Sequence, residues 1–147
     1  MRIVYSYYCL DIIHPGHLLQ MKNAKRLAGK DGISIIGVLT DEAVMEKKPR
    51  PIIPFEQRMQ IGEAIQYADL VVPQATYSPI PNVLKIKPDI LMESMSHSEE
   101  LVAISRRTMS ELGGIVVLTP YYPVQSSTSI KEKIVYEKNN ASGGASA

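Results

Sequence analysis

The chain has 147 residues, of which 45% are apolar and 21% charged, with a formal net charge of +1. That is enough for one domain with its own core, and the near-neutral balance excludes a broad nucleic-acid-binding surface, which needs a basic excess. The single cysteine, Cys9, excludes a disulfide framework and a cysteine zinc site, and no apolar run approaches a membrane span.

The predicted elements alternate. Ile3-Val4-Tyr5-Ser6-Tyr7-Tyr8-Cys9 reads as a strand, and Leu18 to Ala28 as a helix ended by Gly29-Lys30-Asp31-Gly32. Ile33 to Leu39 is β-branched and too short for a helix, so it reads as a buried strand. Thr40-Asp41-Glu42 caps a short helix to about Glu46, and Lys47-Lys48-Pro49-Arg50-Pro51 breaks regular structure. From Pro54 a helix runs through Phe55, Met59, Ile61 and Ile65; Leu70-Val71-Val72 is a strand closed by Pro73. A brief helix over 80–86 precedes the strand Asp89 to Met92. Ser98 to Leu112 is a long helix, Ile115 to Leu118 the last strand, and Ser126 to about Tyr136 the last helix.

This alternation implies parallel pairing and right-handed crossovers, hence an α/β fold with a doubly wound, five-stranded sheet of Rossmann type. Residues 1–138 form the expected domain. The tail from Asn139, Asn-Asn-Ala-Ser-Gly-Gly-Ala-Ser-Ala, is expected to be disordered or a linker. The N-terminus enters a strand with no signal-peptide pattern, so the expected compartment is the cytoplasm.

Chemistry concentrates in two places. His14-Pro15-Gly16-His17 puts two imidazoles at the first strand-to-helix turn, near the positive end of the helix dipole. Unpaired backbone N–H groups there are expected to point outward at an anion, and Gly16 lets a phosphate approach the backbone. A bland alternative makes His14 a core histidine and Pro15 a helix starter. Asp11, just before the turn, is placed to orient a histidine or to cap the loop. The second place is the start of the last helix, where Ser126, Ser127, Thr128 and Ser129 offer four hydroxyls and a dipole as a phosphate cradle. Both lie after strands, on the edge where ligands bind in open α/β sheets.

Asp11-x-x-His14-Pro15-Gly16-His17 resembles the signature of the cytidylyltransferase-like nucleotidyltransferases, and the hydroxyl run resembles their second signature, Ile-Ser-Ser/Thr-Thr before a lysine-bearing helix. Phe55-Glu56-Gln57-Arg58 is similar to the family's Tyr-Glu-Gln-Arg segment. The closest likeness is to a branch found beside, or fused to, phosphoenolpyruvate phosphomutase. Leu39-Thr40-Asp41-Glu42-Ala43, Val72-Pro73-Gln74 and Leu84-Lys85-Ile86-Lys87-Pro88-Asp89 carry it, and it spans almost the whole chain up to Lys138.

The resemblance implies in-line attack by a phosphonate or phosphoalcohol, such as 2-hydroxyethylphosphonate, on the α-phosphorus of CTP, with magnesium on the triphosphate. His14 and His17 are its expected catalytic residues, with Lys47 or Lys48 meeting the leaving pyrophosphate. Cys9, Leu10, Asp11, Gly16, Arg58, Glu93, Ser126, Ser127 and Thr128 are the expected nucleotide contacts. In the family the arginine matching Arg58 lies near the nucleotide and the subunit contact. From the residues alone it reads as a surface helix position, and its helix as a candidate homodimer contact. Fusion to, or work beside, a second enzyme is the other expected association. A related cytidylyl- or adenylyltransferase, a binding module without turnover and a structural domain remain the alternatives.

The sequence departs from the family in three places. Met92-Glu93-Ser94-Met95-Ser96-His97-Ser98-Glu99 stands where the family commonly has Gly-Asp-Asp-Trp, leaving Glu93 to replace one acid and His97 to stack on a base. Tyr7-Tyr8 stands where a glycine makes room for phosphate, so the tyrosine either turns outward or narrows the pocket. Val124 and Gln125 replace Gly-Ile before the hydroxyls, and Tyr121 stands at an arginine position.

Overall fold

The computed structural model describes residues 1–120 and 127–145. Its elements are β1 (Ile3–Tyr8), α1 (Pro15–Ala28), β2 (Ile33–Leu39), α2 (Asp41–Met45), α3 (Phe55–Glu63), β3 (Leu70–Gln74), α4 (Ile80–Ile86), β4 (Ile90–Ser94), α5 (Glu99–Glu111), β5 (Ile115–Thr119) and α6 (Ser127–Ala145). The five strands are parallel in the order β3-β2-β1-β4-β5. This is the expected Rossmann-like, doubly wound, three-layer α/β/α fold.

Strand parity decides which face each side chain serves. Val4 and Met92 meet Ala24 and Ala28 of α1, while Tyr8, Ile36 and Val38 meet Met21 of α1 and Phe55 and Met59 of α3. On the opposite face Tyr5, Ile35 and Leu91 pack with Val83 of α4 and Met109 of α5. From β1 the chain winds toward β2, and from β4 it winds toward β5, the opposite way. The loops after β1 and β4 therefore diverge and leave a crevice between adjacent strands.

Several boundaries differ from the sequence reading. Helix α1 starts at Pro15, which brings Gly16 and His17 into its first turn. Pro73 lies inside β3, paired with Val38; the strand is at the sheet edge, where a missing N–H costs no ladder bond. Strand β4 runs on to Ser94 and so carries Glu93. Helix α3 ends at Glu63, short of Ile65. The backbone of α6 stays helical to Ala145, across the segment read as a tail.

Candidate active site

The β1–α1 turn sits on the crevice. His14 is the helix cap, with extended backbone, and its Nδ1 accepts the Gly16 N–H at 3.0 Å. His17 Nδ1 reaches back to accept the His14 N–H at 3.2 Å. Each imidazole thus takes a backbone proton on Nδ1 and, when neutral, carries its own proton on Nε2. The ring centroids are 4.0 Å apart, and the His17 ring stands at 77° to that of Tyr8, 6.1 Å away. Burial, then the neighbouring His14, pushes His17 down to about 4, and burial lowers His14 as well. Near neutral pH the pair acts as oriented dipoles rather than as cations.

This corrects the picture of unpaired backbone donors. Pro15 has no N–H, that of Gly16 is spent on His14 Nδ1, and that of His17 bonds the His14 carbonyl at 3.0 Å. What the turn has left to offer an anion is the imidazole N–H groups and the helix dipole.

A cleft of about 180 Å³ opens here, with His14, Gly16, His17 and Gln20 on one wall and Glu93 and His97 on the other. It suits one or two phosphate groups rather than a whole nucleotide. A smaller hollow of about 100 Å³ continues past Tyr7 and His97 to Cys9, Lys48 and Tyr77. Both tyrosines at the end of β1 face inward and narrow the space. Tyr8 is buried against α1 and α3, and Tyr7 donates to Glu93 Oε2 at 2.7 Å. Ser6 Oγ is buried with no hydrogen bond of ordinary geometry, interacting only weakly with the Tyr8 hydroxyl.

Glu93 and His97 form a pair across this wall. His97 Nδ1 is 2.7 Å from Glu93 Oε2, and Ser105 of α5 donates to Oε1 at 2.8 Å. The His97 ring stacks on Tyr7, with centroids 5.7 Å apart and planes 24° apart. Both Glu93 oxygens are therefore bonded within the protein.

Three expected contacts have structural duties. Asp11 orients neither histidine; its Oδ1 accepts Ile53 N–H at 2.8 Å and its Oδ2 accepts Ile52 N–H at 3.1 Å, while Lys131 of α6 pairs with Oδ2. These bonds hold its carboxyl below the usual range against the cost of burial. Arg58 is not on the surface. It is fully buried, with NH1 donating to the carbonyls of Cys9 and Leu39 at 2.6 Å each, Nε to Ile53 O at 2.9 Å, and NH2 to Asp41 at 2.7 Å. It fastens the ends of β1 and β2 together. Leu10 turns the chain with φ 60° and buries its side chain in the core. The Cys9 thiol is half-buried, and burial raises its pKa.

The basic loop divides its lysines. Lys47 Nζ lies 4.9 Å from the Tyr77 ring centre, whereas Lys48 borders both the hollow beside Cys9 and a separate groove with Asp11, Thr128 and Lys131. Thr128 is exposed on that groove, which shares no residue with the histidine cleft. Ser127 begins α6, and Ser126, Val124, Gln125 and Tyr121 lie outside the described residues. Sequence reasoning missed the Tyr7–Glu93 bond, and Gln20 and Ser105 as lining or supporting groups. Only strand parity at Tyr7 and Glu93, two odd positions on adjacent strands, signalled the first.

The sheet is a doubly wound α/β one, with an imidazole pair beside its switch point. The chain belongs to the cytidylyltransferase-like family, whose profile matches residues 9–133. It is similar to the bifunctional protein HldE of Alcanivorax borkumensis, 33% identical over 135 residues covering 90% of this chain and 28% of that protein. It is also similar to the protein of that name from Haemophilus influenzae strain PittEE, 31% identical over 135 residues with the same shares. The chain therefore spans less than a third of those relatives. The lipopolysaccharide core biosynthesis protein of Thermoplasma volcanium shares its fold, with a TM-score of 0.69 at 21% identity, covering 85% of this chain and 99% of the other. A protein of unknown function from Archaeoglobus fulgidus does so with a TM-score of 0.65 at 19% identity, covering 86% and 94%.

Proposed function

We propose that this protein is a nucleotidyltransferase: it joins the nucleotidyl group of a nucleoside triphosphate to a phosphate or phosphonate oxygen of a small acceptor, releasing pyrophosphate. The observation that carries this reading is the pair of neutral imidazoles whose tautomers are set by backbone N–H groups in a phosphate-sized cleft. The acceptor oxygen attacks the α-phosphorus in line, and the bond to pyrophosphate breaks. His17, with His14, donates Nε2–H to oxygens on which negative charge grows, at no cost of reorganisation. Lys48, which lines the hollow, meets the leaving group, and Ser126, Ser127 and Thr128 with the start of α6 take the outer phosphates.

Among the described residues no cluster of three or more His, Cys, Asp or Glu side chains is placed to hold a metal ion. These residues therefore offer no all-protein cage, and magnesium would enter on the triphosphate, neutralising its charge with few protein ligands. No helix among the described residues is long and apolar enough to cross a membrane. We assign the reaction to the cytoplasm, in a homodimer or beside a second enzyme; the word bifunctional in the relatives' name supports the latter.

CTP with an acceptor such as 2-hydroxyethylphosphonate is the pair that the sequence resemblance implies. The HldE matches support the family and not the phosphomutase branch. A second reading puts ATP in place of CTP. Glu93, whose oxygens are spent on Tyr7, His97 and Ser105 in the segment that otherwise helps to hold the nucleotide, leaves the base choice open to it. Pyrophosphate release from CTP and from ATP, across a panel of phosphorylated and phosphonate acceptors, separates the two. Nucleotide binding without release for any pair would make the protein a binding module, and no binding by calorimetry would make it structural.

A further inference from the structure

Three histidines line one cleft, and they are pinned in opposite senses. His14 and His17 accept backbone N–H groups on Nδ1, which leaves Nε2 as the donor. His97 has Glu93 on Nδ1 at 2.7 Å, with the Tyr7 hydroxyl 3.2 Å from the same nitrogen. The Glu93 side chain is fully buried and already accepts from the hydroxyls of Tyr7 and Ser105. Burial, then the charge of Glu93, drives Tyr7 far above its ordinary value, so it remains a phenol and a donor. A carboxylate with that surplus of donors takes the Nδ1 proton of His97 as a hydrogen bond, which leaves Nε2 of the neutral ring as a lone pair. One wall of the cleft thus presents N–H donors and the other a base. A ligand matching both walls carries an anionic oxygen and an acidic proton together, as a monoprotonated phosphate or phosphonate does.

Resting on the nucleotidyl-transfer reading above, we propose that His97 is the general base of the reaction, taking the proton from the acceptor's attacking oxygen. The O–H bond breaks and its proton passes to Nε2. The freed electron pair forms the new bond to the α-phosphorus, and the bond to pyrophosphate breaks with its pair leaving on that group. The imidazolium so formed faces the Glu93 carboxylate, which offsets its charge. Glu93 and Tyr7 act as positioning residues, since they reach the substrate only through His97. The other ionisable groups around His97 are Tyr77, with ring centroids 6.3 Å apart, Cys9 and Lys48 in the adjoining hollow, and Glu99 and Arg106 on its outer side.

The test is the pH profile of kcat/KM for the wild type, His97→Ala and Glu93→Gln, with the acceptor that supports turnover. A phosphate acceptor loses its second proton near pH 6. Below that point His97→Ala is expected to lose about 100-fold, the lower range for general-base catalysis. About two pH units above it the dianion attacks unaided and the loss shrinks toward parity. Glu93→Gln should follow the same course with a smaller loss. A defect of the same size at every pH would overturn the base assignment and leave His97 a structural part of the wall. If the wild type itself gave no pyrophosphate with any pair, the nucleotidyl-transfer reading would fall, and the base with it. Nitrogen-15 spectra of the histidines give a readout that needs no turnover. Nε2 of His97 is expected unprotonated in the neutral ring, opposite to His17, and a protonated Nε2 on that neutral ring would overturn the proposal.

Discussion

Arg58 gives the sharpest quantitative prediction. Its four hydrogen bonds, at 2.6–2.9 Å, end on three carbonyls and one carboxylate gathered from the residue after β1, from β2, from α2 and from the loop before α3. Arg58→Met keeps much of the volume and removes every donor. The carbonyls of Cys9 and Leu39 then lose a buried partner, at about 1–3 kcal/mol each. Asp41 loses its close ion pair but remains 17% exposed, so its cost falls well below the 3–5 kcal/mol of a fully buried broken pair. Together the expected loss is about 4 kcal/mol, a large fraction of a domain's stability. Arg58→Lys keeps the charge without the planar fork, so it is expected to lose roughly half as much. Urea unfolding followed by circular dichroism measures both. The Arg50–Asp41 pair is 3.7 Å long with Arg50 68% exposed, so Arg50→Ala serves as the control and should be near neutral. A loss below about 1 kcal/mol for Arg58→Met would refute the argument from orphaned acceptors.

His17→Ala is expected to cut turnover about 100-fold, the usual loss for one oriented transition-state donor; wild-type pyrophosphate release from that variant would remove His17 from the chemistry. His17 also links stability to pH. Its folded value of about 4 lies below the ordinary 6.5, so between these the unfolded chain holds a proton that the folded one refuses. Stability is then present in full above pH 6.5 and lost as the pH falls toward 4, by up to about 3 kcal/mol. Urea midpoints for His17→Gln should fall less steeply over that window, and an equal slope would contradict the buried neutral imidazole. At Gly37 an added Cβ would lie 2.0 Å from the Tyr5 hydroxyl, which bonds Gln74 and Asn82. Gly37→Ala should therefore destabilise by about 1–3 kcal/mol through overpacking, and an unchanged melting temperature would count against close packing of Tyr5 on Gly37.

The order of strands and helices, and the placing of two histidines at the first turn, were legible because each rests on near neighbours in the chain. β-branched runs, caps and proline breaks act over a few residues, and the HPGH turn is four residues long. The boundaries that moved did so for local reasons of another kind. His14 caps through its side chain, which draws Pro15 to His17 into α1, and Pro73 is tolerated because β3 happens to be an edge.

Tertiary structure alone decided who partners whom. Glu93 and Tyr7 are 86 residues apart and meet because β1 and β4 are neighbours in the sheet. Arg58 looks like a surface helix residue until strand order brings two carbonyl ends and Asp41 beneath it. Asp11 was within reach of a histidine by sequence, yet the backbone of 52–53 and Lys131 claim its oxygens. A buried polar group must find a partner wherever the fold supplies one, and no local pattern records which distant segment that will be. The sequence by itself determined the class of fold and the residue types at its first strand-to-helix turn; the winding of strands in opposite directions from β1 and β4 decided which of the remaining polar residues face the cleft and which hold it together.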